Sequence, residues 1–382
     1  MTMMKRMLAL LLMLCMLLPM AAGAEGDLAD GFDLDLDLDL EDVLQAEEEE
    51  GDIYIPEEDE ELASAIEILD AEIDTSVDPD KLDLNENLPD HVVNILLVGI
   101  DGRTEDMDDK NSTQHGDVQI IVSINKDEGT IKLTSVLRDL YVTIPGYKSK
   151  NRINVAYSRG GGQLAMRTMN NLLELNIEHY VVINFYGLAS IIDSLGGIDI
   201  ELTKGEAGAI NTYIKKNLKK GGYDNQDKDY KRQDLEKKNG VQHLDGIQAV
   251  MYARLRSIDN DFKRSERQRH LLELLLGKVL DGGLDMNKLL GLLETCLPYA
   301  ETNLSAMDMI NLAMGVLSSD ILTKLENGDP LLQQSRIPMD ETWKYYTTDA
   351  GASVVAFRTD KRLKENIEGI HKFIYGEYIP AD

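Results

Sequence analysis

Val92-Val-Asn-Ile-Leu-Leu-Val-Gly-Ile-Asp101 is the stretch that decides the fold. The run up to Ile100 is almost unbroken apolar sequence, closed by Gly99-Ile100-Asp101, and reads as a strand buried inside a sheet with an acidic residue just past its end. Residues 118–124 predict a second strand. Lys126-Asp-Glu-Gly129 makes a turn, and residues 130–136 return as a third strand, so the two form a hairpin. Residues 140–144 are short and extended, stopped by Pro145-Gly146. Leu164, Met166, Met169, Leu172 and Leu173 fall at helical spacing and predict a helix over residues 163–175. Residues 180–185 predict a strand, residues 188–195 a helix closed by Gly196-Gly197, and residues 198–202 another strand. Residues 215–239 are polar and lysine-rich and read as a mobile insertion. Helices are expected from residue 245 onward and over residues 262–280, 288–297, 305–317 and 361–375, with a late strand at residues 354–357. Strands and helices alternate, so residues 91–376 are expected to form one α/β domain, a mixed central β-sheet with helices on both faces.

The ends of the chain read differently. Lys5 and Arg6 precede an apolar run over residues 7–20, and Ala22-Gly23-Ala24 supplies small residues at a cleavage site. This is the pattern of a signal peptide over residues 1–24, and the apolar run is shorter than the ~20 residues a membrane span needs. Export is expected. Without that segment Cys296 is the one remaining thiol, so no internal disulfide forms, and no Cys/His spacing suggests zinc. The 382-residue chain has a net charge of -30, and residues 25–90 hold most of it, with 28 acids against the single base Lys81. This segment includes Asp33-Leu-Asp-Leu-Asp-Leu-Asp-Leu40 and Glu47-Glu-Glu-Glu50 and reads as a disordered acidic spacer. Such a charge balance excludes nucleic acid as a partner.

Charged residues cluster at the strand ends. Asp101 and Arg103 follow the first strand, Asp117 precedes the second, and Arg138 and Asp139 follow the third. Strand ends of an α/β sheet border the crevice where such folds bind ligands. Carboxylates without a neighbouring His or Cys suit a hard cation such as Mg²⁺. A second cluster lies in Met251-Tyr-Ala-Arg-Leu-Arg-Ser-Ile-Asp-Asn-Asp-Phe-Lys-Arg-Ser-Glu-Arg-Gln268, which gathers Arg254, Arg256, Arg264 and Arg267. Asp261, Arg264 and Gln268 share one helix face. Arginine presents a planar fork that matches phosphate oxygens in pairs, so the functional reading is a phosphate or pyrophosphate pocket. The bland reading is a solvated, salt-bridged helix. No Gly-x-x-x-x-Gly-Lys loop or Gly-x-Ser-x-Gly elbow occurs, and the histidines are scattered. Gly160-Gly161-Gly162 reads equally as an anion-binding turn or a tight turn.

Asn94-Ile-Leu-Leu-Val-Gly-Ile-Asp101, Gly116-Asp117, Ser135-Val-Leu-Arg-Asp139, Arg152-Ile-Asn-Val-Ala-Tyr157 with Gly160-Gly161, Leu244-Asp-Gly-Ile-Gln-Ala-Val-Met-Tyr-Ala-Arg-Leu-Arg256 and Asp261-x-x-Arg-x-x-Arg-Gln268 occur in an order and spacing that resembles the LytR-CpsA-Psr family. The resemblance covers roughly residues 91–376. It implies a three-layer domain and an envelope enzyme that moves a phosphorylated glycopolymer from a polyprenyl-pyrophosphate carrier onto peptidoglycan, at the outer face of the cytoplasmic membrane or in the cell wall, assisted by Mg²⁺ or Mn²⁺. It further implies that Asp101 and Asp117 are metal-linked, and that Arg138, Arg254, Arg256 and Arg264 clamp the pyrophosphate with Gln268 beside them. Arg152 stands where the family often has lysine. Asp261 orients an arginine or moves a proton, and Asp139 is the other candidate. Catalytic roles thus fall to Arg138, Asp139 and Asp261. The chain departs from the family pattern at Gly116-Asp117-Val118, where Ser-Asp-Thr is usual, and at Leu137, where proline is usual. The lost hydroxyl and the long spacer keep open a non-catalytic binder of prenyl-phosphate lipid or wall polymer, and a further enzymatic variant is a pyrophosphatase acting on the same lipid. The carrier's prenyl chain needs an apolar groove between sheet and helices, whose lining sequence alone does not assign.

Overall fold

β1 (Val92–Ile100) lies inside a six-stranded sheet, with β2 (Gly116–Asn125) on one side and β6 (His179–Asn184) on the other. Its alternate residues turn to opposite faces, which is why the whole run is apolar. Leu96, Val98 and Ile100 join one core cluster, while Leu97 and Gly99 line a cavity on the other side. The computed structural model describes residues 77–100, 115–218, 233–255, 261–281, 300–305, 308–309, 312 and 332–381. The expected signal segment, the Asp-Leu repeat, Cys296, the expected helix at residues 288–297 and nearly all of the one at residues 305–317 lie outside the described residues.

The predicted hairpin is present: β2 pairs antiparallel with β3 (Thr130–Val136), Ile120 opposite Ser135. The sheet is mixed. β1 runs antiparallel to β2 and parallel to β6; β9 (Ala300–Thr302) is antiparallel to β6, and β10 (Leu332–Ile337) is parallel to β3. β4 (Tyr141–Val142) and β5 (Asn151–Arg152) form a small pair beyond the end of β3.

Helices cover both faces, as expected. On one side α1 (Val155–Leu173) packs through Ala165, Met166, Met169 and Leu173, and the closing helix, Asp360–Tyr375, through Ile370 and Ile374. Between the main sheet's strands the chain builds α2 (Phe185–Ser194), β7 (Ile198–Leu202), α3 (Lys204–Leu218), β8 (Gly240–Leu244), α4 (Gly246–Arg254) and α5 (Asp261–Asp281). These share a second apolar cluster around Ile192, Ile200, Ile210, Val250 and Leu275. α4 starts at a capping box, where Asp245 accepts from Gln248 N at 2.8 Å and Gln248 Oε1 accepts from Asp245 N at 3.0 Å. The hairpin β11 (Trp343–Thr347) and β12 (Ser353–Phe357) then leads into α6, the closing helix Asp360–Tyr375.

The predicted strand at Ile198–Leu202 is present, outside the main sheet and paired antiparallel with β8, for which the sequence predicts no element. Two expectations need correction. Residues 215–239 are partly built into the fold: α3 runs to Leu218, and Leu235 is buried with Asn211 bonding its N–H and its C=O at 3.0 and 2.8 Å. The fold also starts before residue 91. Leu82 and Leu88 are buried in the first cluster, and buried Asn85 donates to Glu174 O and Ile379 O. With Asn87 donating to Pro380 O, this segment binds the residues after α6 into the same body.

The pairing of β1 with β2 is irregular at one point. The register shifts at Gly99/Ile100: Gly99 pairs with Val118 and Ile100 with Gly116, leaving Asp117 as the extra residue of a β-bulge. A Cβ at Gly116 would sit 2.9 Å from Val98 Cγ1, a stiff β-branched side chain that is 0% exposed. Gly116→Ser, the residue usual in the resembling family, is therefore expected to cost about 1–3 kcal/mol by overpacking, read as a lower urea midpoint at unchanged slope. An unchanged midpoint would show that β2 relaxes freely there.

His371 on α6 is fully buried. Its Nδ1 accepts from Ile379 N, so its Nε2–H donates to Leu173 O at 2.9 Å. Burial holds the imidazole below its ordinary value of 6.5, against the smaller opposing pull of these backbone contacts and Glu174. The unfolded chain therefore binds this proton first as pH falls below 6.5, and stability falls with it until the folded histidine is also protonated. Urea midpoints measured from pH 7.5 to 5 should drop in the wild type and less steeply in His371→Gln. Equal slopes would remove His371 from the acid sensitivity.

Candidate functional site

The hairpin register builds the site. Continuing the Ile120–Ser135 pairing past the end of β3 sets Asp117 opposite Arg138, and the bulge turns the aspartate toward it. Arg138 Nη1 bonds Asp117 Oδ1 at 2.5 Å, and both side chains are largely shielded from water. Arg264 approaches from α5 on the neighbouring layer. Arg264 is 4% exposed and donates from Nη2 to the Asp117 carbonyl oxygen at 3.2 Å. Residue 117 thus receives one arginine through its side chain and another through its backbone.

Asp139 extends the group. Its Oδ2 lies 3.5 Å from Arg138 Nε and its Oδ1 3.1 Å from Arg152 Nε. Arg152 also donates from Nη2 to Ser353 O at 2.8 Å, at the start of β12. Backbone bonds hold this corner: Asn154 N donates to Arg138 O, Gly116 N to Asn154 O, and Val355 N to Asp139 O. Five of the expected residues therefore meet here, three guanidiniums and two carboxylates. With both oxygens of Asp139 facing arginines, the arrangement suits it to orienting them.

Beside the charged group lies a small apolar cavity, with about 50 Å³ of room for water-sized occupants. Leu97, Gly99, Val118 and Ile120 form its sheet wall, and Leu271, Leu272 and Gln268 its helix wall. Val118 adjoins Asp117 in sequence, and Gln268 stands one helical turn from Arg264, so charged and apolar walls are continuous. Gln268 also donates to Ala253 O at 3.4 Å, linking α5 to α4.

One expected residue falls elsewhere. Arg254 ends α4 with its guanidinium 5.9 Å from the Tyr213 ring centre, toward α3. Asp261 is the first residue of α5. Asp101 and Arg256 lie outside the described residues. Arg267, part of the same arginine-rich stretch, donates to Leu255 O at 2.8 Å and lies 3.6 Å from Glu206, so it braces α5 against α4 and α3. Between Glu206 and Arg267, burial raises the Tyr252 hydroxyl to about 12.

Sequence reasoning missed Arg269. It is 7% exposed and donates to Ser135 Oγ and Gln334 Oε1, both at 2.8 Å, fixing α5 to β3 and β10; burial lowers its pKa. Its offset of five residues from Arg264 places it off the clamp face of the helix, a signal available in the spacing. Gly160-Gly161-Gly162 forms a kink within α1. Gly160 and Gly161 interrupt α1 with non-helical backbone, and a Cβ at Gly162 would lie 2.3 Å from the Tyr180 ring.

Known proteins resemble this chain in sequence and in fold. Residues 63–362 match the LytR_cpsA_psr family model. The polyisoprenyl-teichoic acid–peptidoglycan teichoic acid transferase TagU of Enterococcus faecalis is 32% identical over 243 residues, 63% of this chain and 69% of the relative. The enzyme of that type named TagV in Bacillus subtilis is 29% identical over 214 residues, 55% of this chain and 49% of the relative, so the match spans about half that protein's length. A solved structure of the LytR-CPS2A-psr family protein YwtF (TagT) with bound octaprenyl pyrophosphate lipid has the same fold, with a TM-score of 0.51 at 21% identity, covering 75% of this chain and 91% of that one. By the extent of the family match, this chain belongs to the LytR_cpsA_psr family.

Proposed function

We propose that this chain transfers a phosphorylated glycopolymer from a polyprenyl-pyrophosphate carrier to peptidoglycan in cell-wall assembly. The observation that carries this reading is the junction of an apolar cavity with a shielded knot of arginines. The carrier has the same two parts in the same order, a hydrocarbon chain joined to a pyrophosphate. The cavity accepts the chain end nearest the phosphates, and burial of apolar surface holds it. Arg138 and Arg264 then meet phosphate oxygens, each with a planar fork.

Phosphoryl transfer asks the protein for charge neutralisation and alignment more than for a covalent nucleophile. Arg138, Arg152 and Arg264 supply positive charge fixed in advance by Asp117 and Asp139, in a site with little water. Gln268 sits where cavity and clamp join and orients the headgroup. The acceptor sugar hydroxyl loses its proton to a carboxylate, for which Asp261 and Asp139 are the candidates. The oxygen-donor set, without imidazole or thiolate, suits Mg²⁺ or Mn²⁺ rather than zinc. Asp117 would hold the ion with Asp101, and its contribution is to neutralise pyrophosphate charge. The reaction belongs at the cell envelope; its location on the outer face of the cytoplasmic membrane follows from the export signal read over residues 1–24. Gly116 and Val118 favour a second reading, a lipid binder without turnover, because both lack the hydroxyl that the family pattern places there. Product formation that requires an acceptor separates transfer from binding and from hydrolysis.

Arg264→Ala should lower Mg²⁺-dependent turnover of a polyprenyl-pyrophosphate-linked saccharide about 10²–10³-fold, the usual effect of removing one preorganised donor. Circular dichroism should report a retained fold, and normal turnover would remove Arg264 from the clamp. Asp117→Asn should raise the Mg²⁺ concentration needed for half-maximal rate at least about tenfold. A superimposable metal titration would mean that Asp117 serves Arg138 alone.

A further inference from the structure

The hairpin of β11 and β12 projects aromatic rings into solvent. Tyr345 and Tyr346 are 68% and 40% exposed, and as consecutive residues of a regularly paired strand they face opposite sides of the hairpin. The Tyr346 ring centre lies 6.0 Å from that of Tyr141, tilted by 37°, and Tyr345 stands edge-on to Trp343 at 5.2 Å. Exposed rings held in fixed positions offer contact area that loses little freedom on binding.

The hairpin is also joined to the clamp. Val355 N donates to Asp139 O, Leu140 bridges to Val355, and Arg152 bonds both Asp139 and Ser353 O. Tyr141 follows Arg138 by three residues, so their Cα atoms stand at most about 11 Å apart. A chain of a few sugar units bridges that distance.

We propose that the surface formed by Tyr141 and Tyr346 is the platform on which the acceptor polysaccharide lies while its hydroxyl reaches the clamp. This deepens the transferase reading above and rests on it. A pyranose ring has an apolar C–H face, which matches the face of a phenol, and a hydroxyl rim, which matches polar neighbours. Lys344, exposed on the same strand face as Tyr346, supplies such a neighbour. A lipid surface is the poorer occupant. Residues 340–358 carry Asp340, Glu341 and Asp349 against Lys344 and Arg358, with no basic excess to meet anionic headgroups.

The test uses the full chain and its Tyr346→Ala, Tyr345→Ala and Tyr346→Phe variants. Each is mixed with purified peptidoglycan sacculi and sedimented, and geranylgeranyl pyrophosphate binding is followed separately by native mass spectrometry. Tyr346→Ala should weaken sacculus binding about tenfold, while Tyr346→Phe keeps the ring and most of the affinity and Tyr345→Ala, on the opposite face, binds as the parent does. All variants should bind the lipid pyrophosphate as the parent does. Unchanged sacculus binding in Tyr346→Ala overturns the platform. So does a loss shared equally with the lipid, since the platform stands outside the clamp. Loss of binding to phosphatidylglycerol vesicles instead of sacculi overturns it in favour of a membrane contact. A parent chain that binds sacculi through these rings but takes up no lipid pyrophosphate would support the platform and refute the carrier reading.

Discussion

The Asp117–Arg138 pair is the contact on which the site depends. It exists because a hairpin register carried past the last ladder bond sets these residues opposite each other, and because a one-residue bulge turns the aspartate toward its partner. Neither charge would be tolerated alone with so little water around it. Together they leave a carbonyl oxygen facing α5, where Arg264 uses it. A sheet edge and a helix from different stretches of sequence are thereby tied at one residue.

α5 shows how a single helix divides its charges. Arg264 faces the clamp, Arg267 braces α4 and α3, and Arg269 locks onto β3 and β10. Three nearly buried arginines hold the helix from three directions, each at a hydrogen-bonding group rather than in a bare apolar layer. The cavity wall formed by Leu271 and Leu272 depends on that position. Arg267 and Arg269 thus serve the site by setting where the helix lies.

Much of the fold is legible in the sequence alone. β1 can be read because burial on both faces forces an apolar run, and β2 and β3 because a turn separates two strand-like stretches. α5 can be read from its spacing. β10 and β11 cannot: β10 reads Leu-Gln-Gln-Ser-Arg-Ile with an exposed middle, and β11 exposes most of its residues. Such edge strands are defined by a distant partner rather than by composition. The same limit applies at the site. Asp117, Arg138 and Arg264 stand out by strand ends and helix spacing, and the family resemblance names them too. That Arg152 grips Asp139, and that Arg254 turns toward Tyr213, depends on tertiary placement that a linear pattern does not encode.

The strap formed by residues 77–90 lies on the α1–α6 side of the sheet, where Leu82 and Leu88 join that core and Asn85 and Asn87 grip the residues after α6. The cavity opens on the opposite side. The chain before residue 77 therefore joins the body on the face of the sheet away from the cavity, so changes of length or charge there need not disturb the residues that line it.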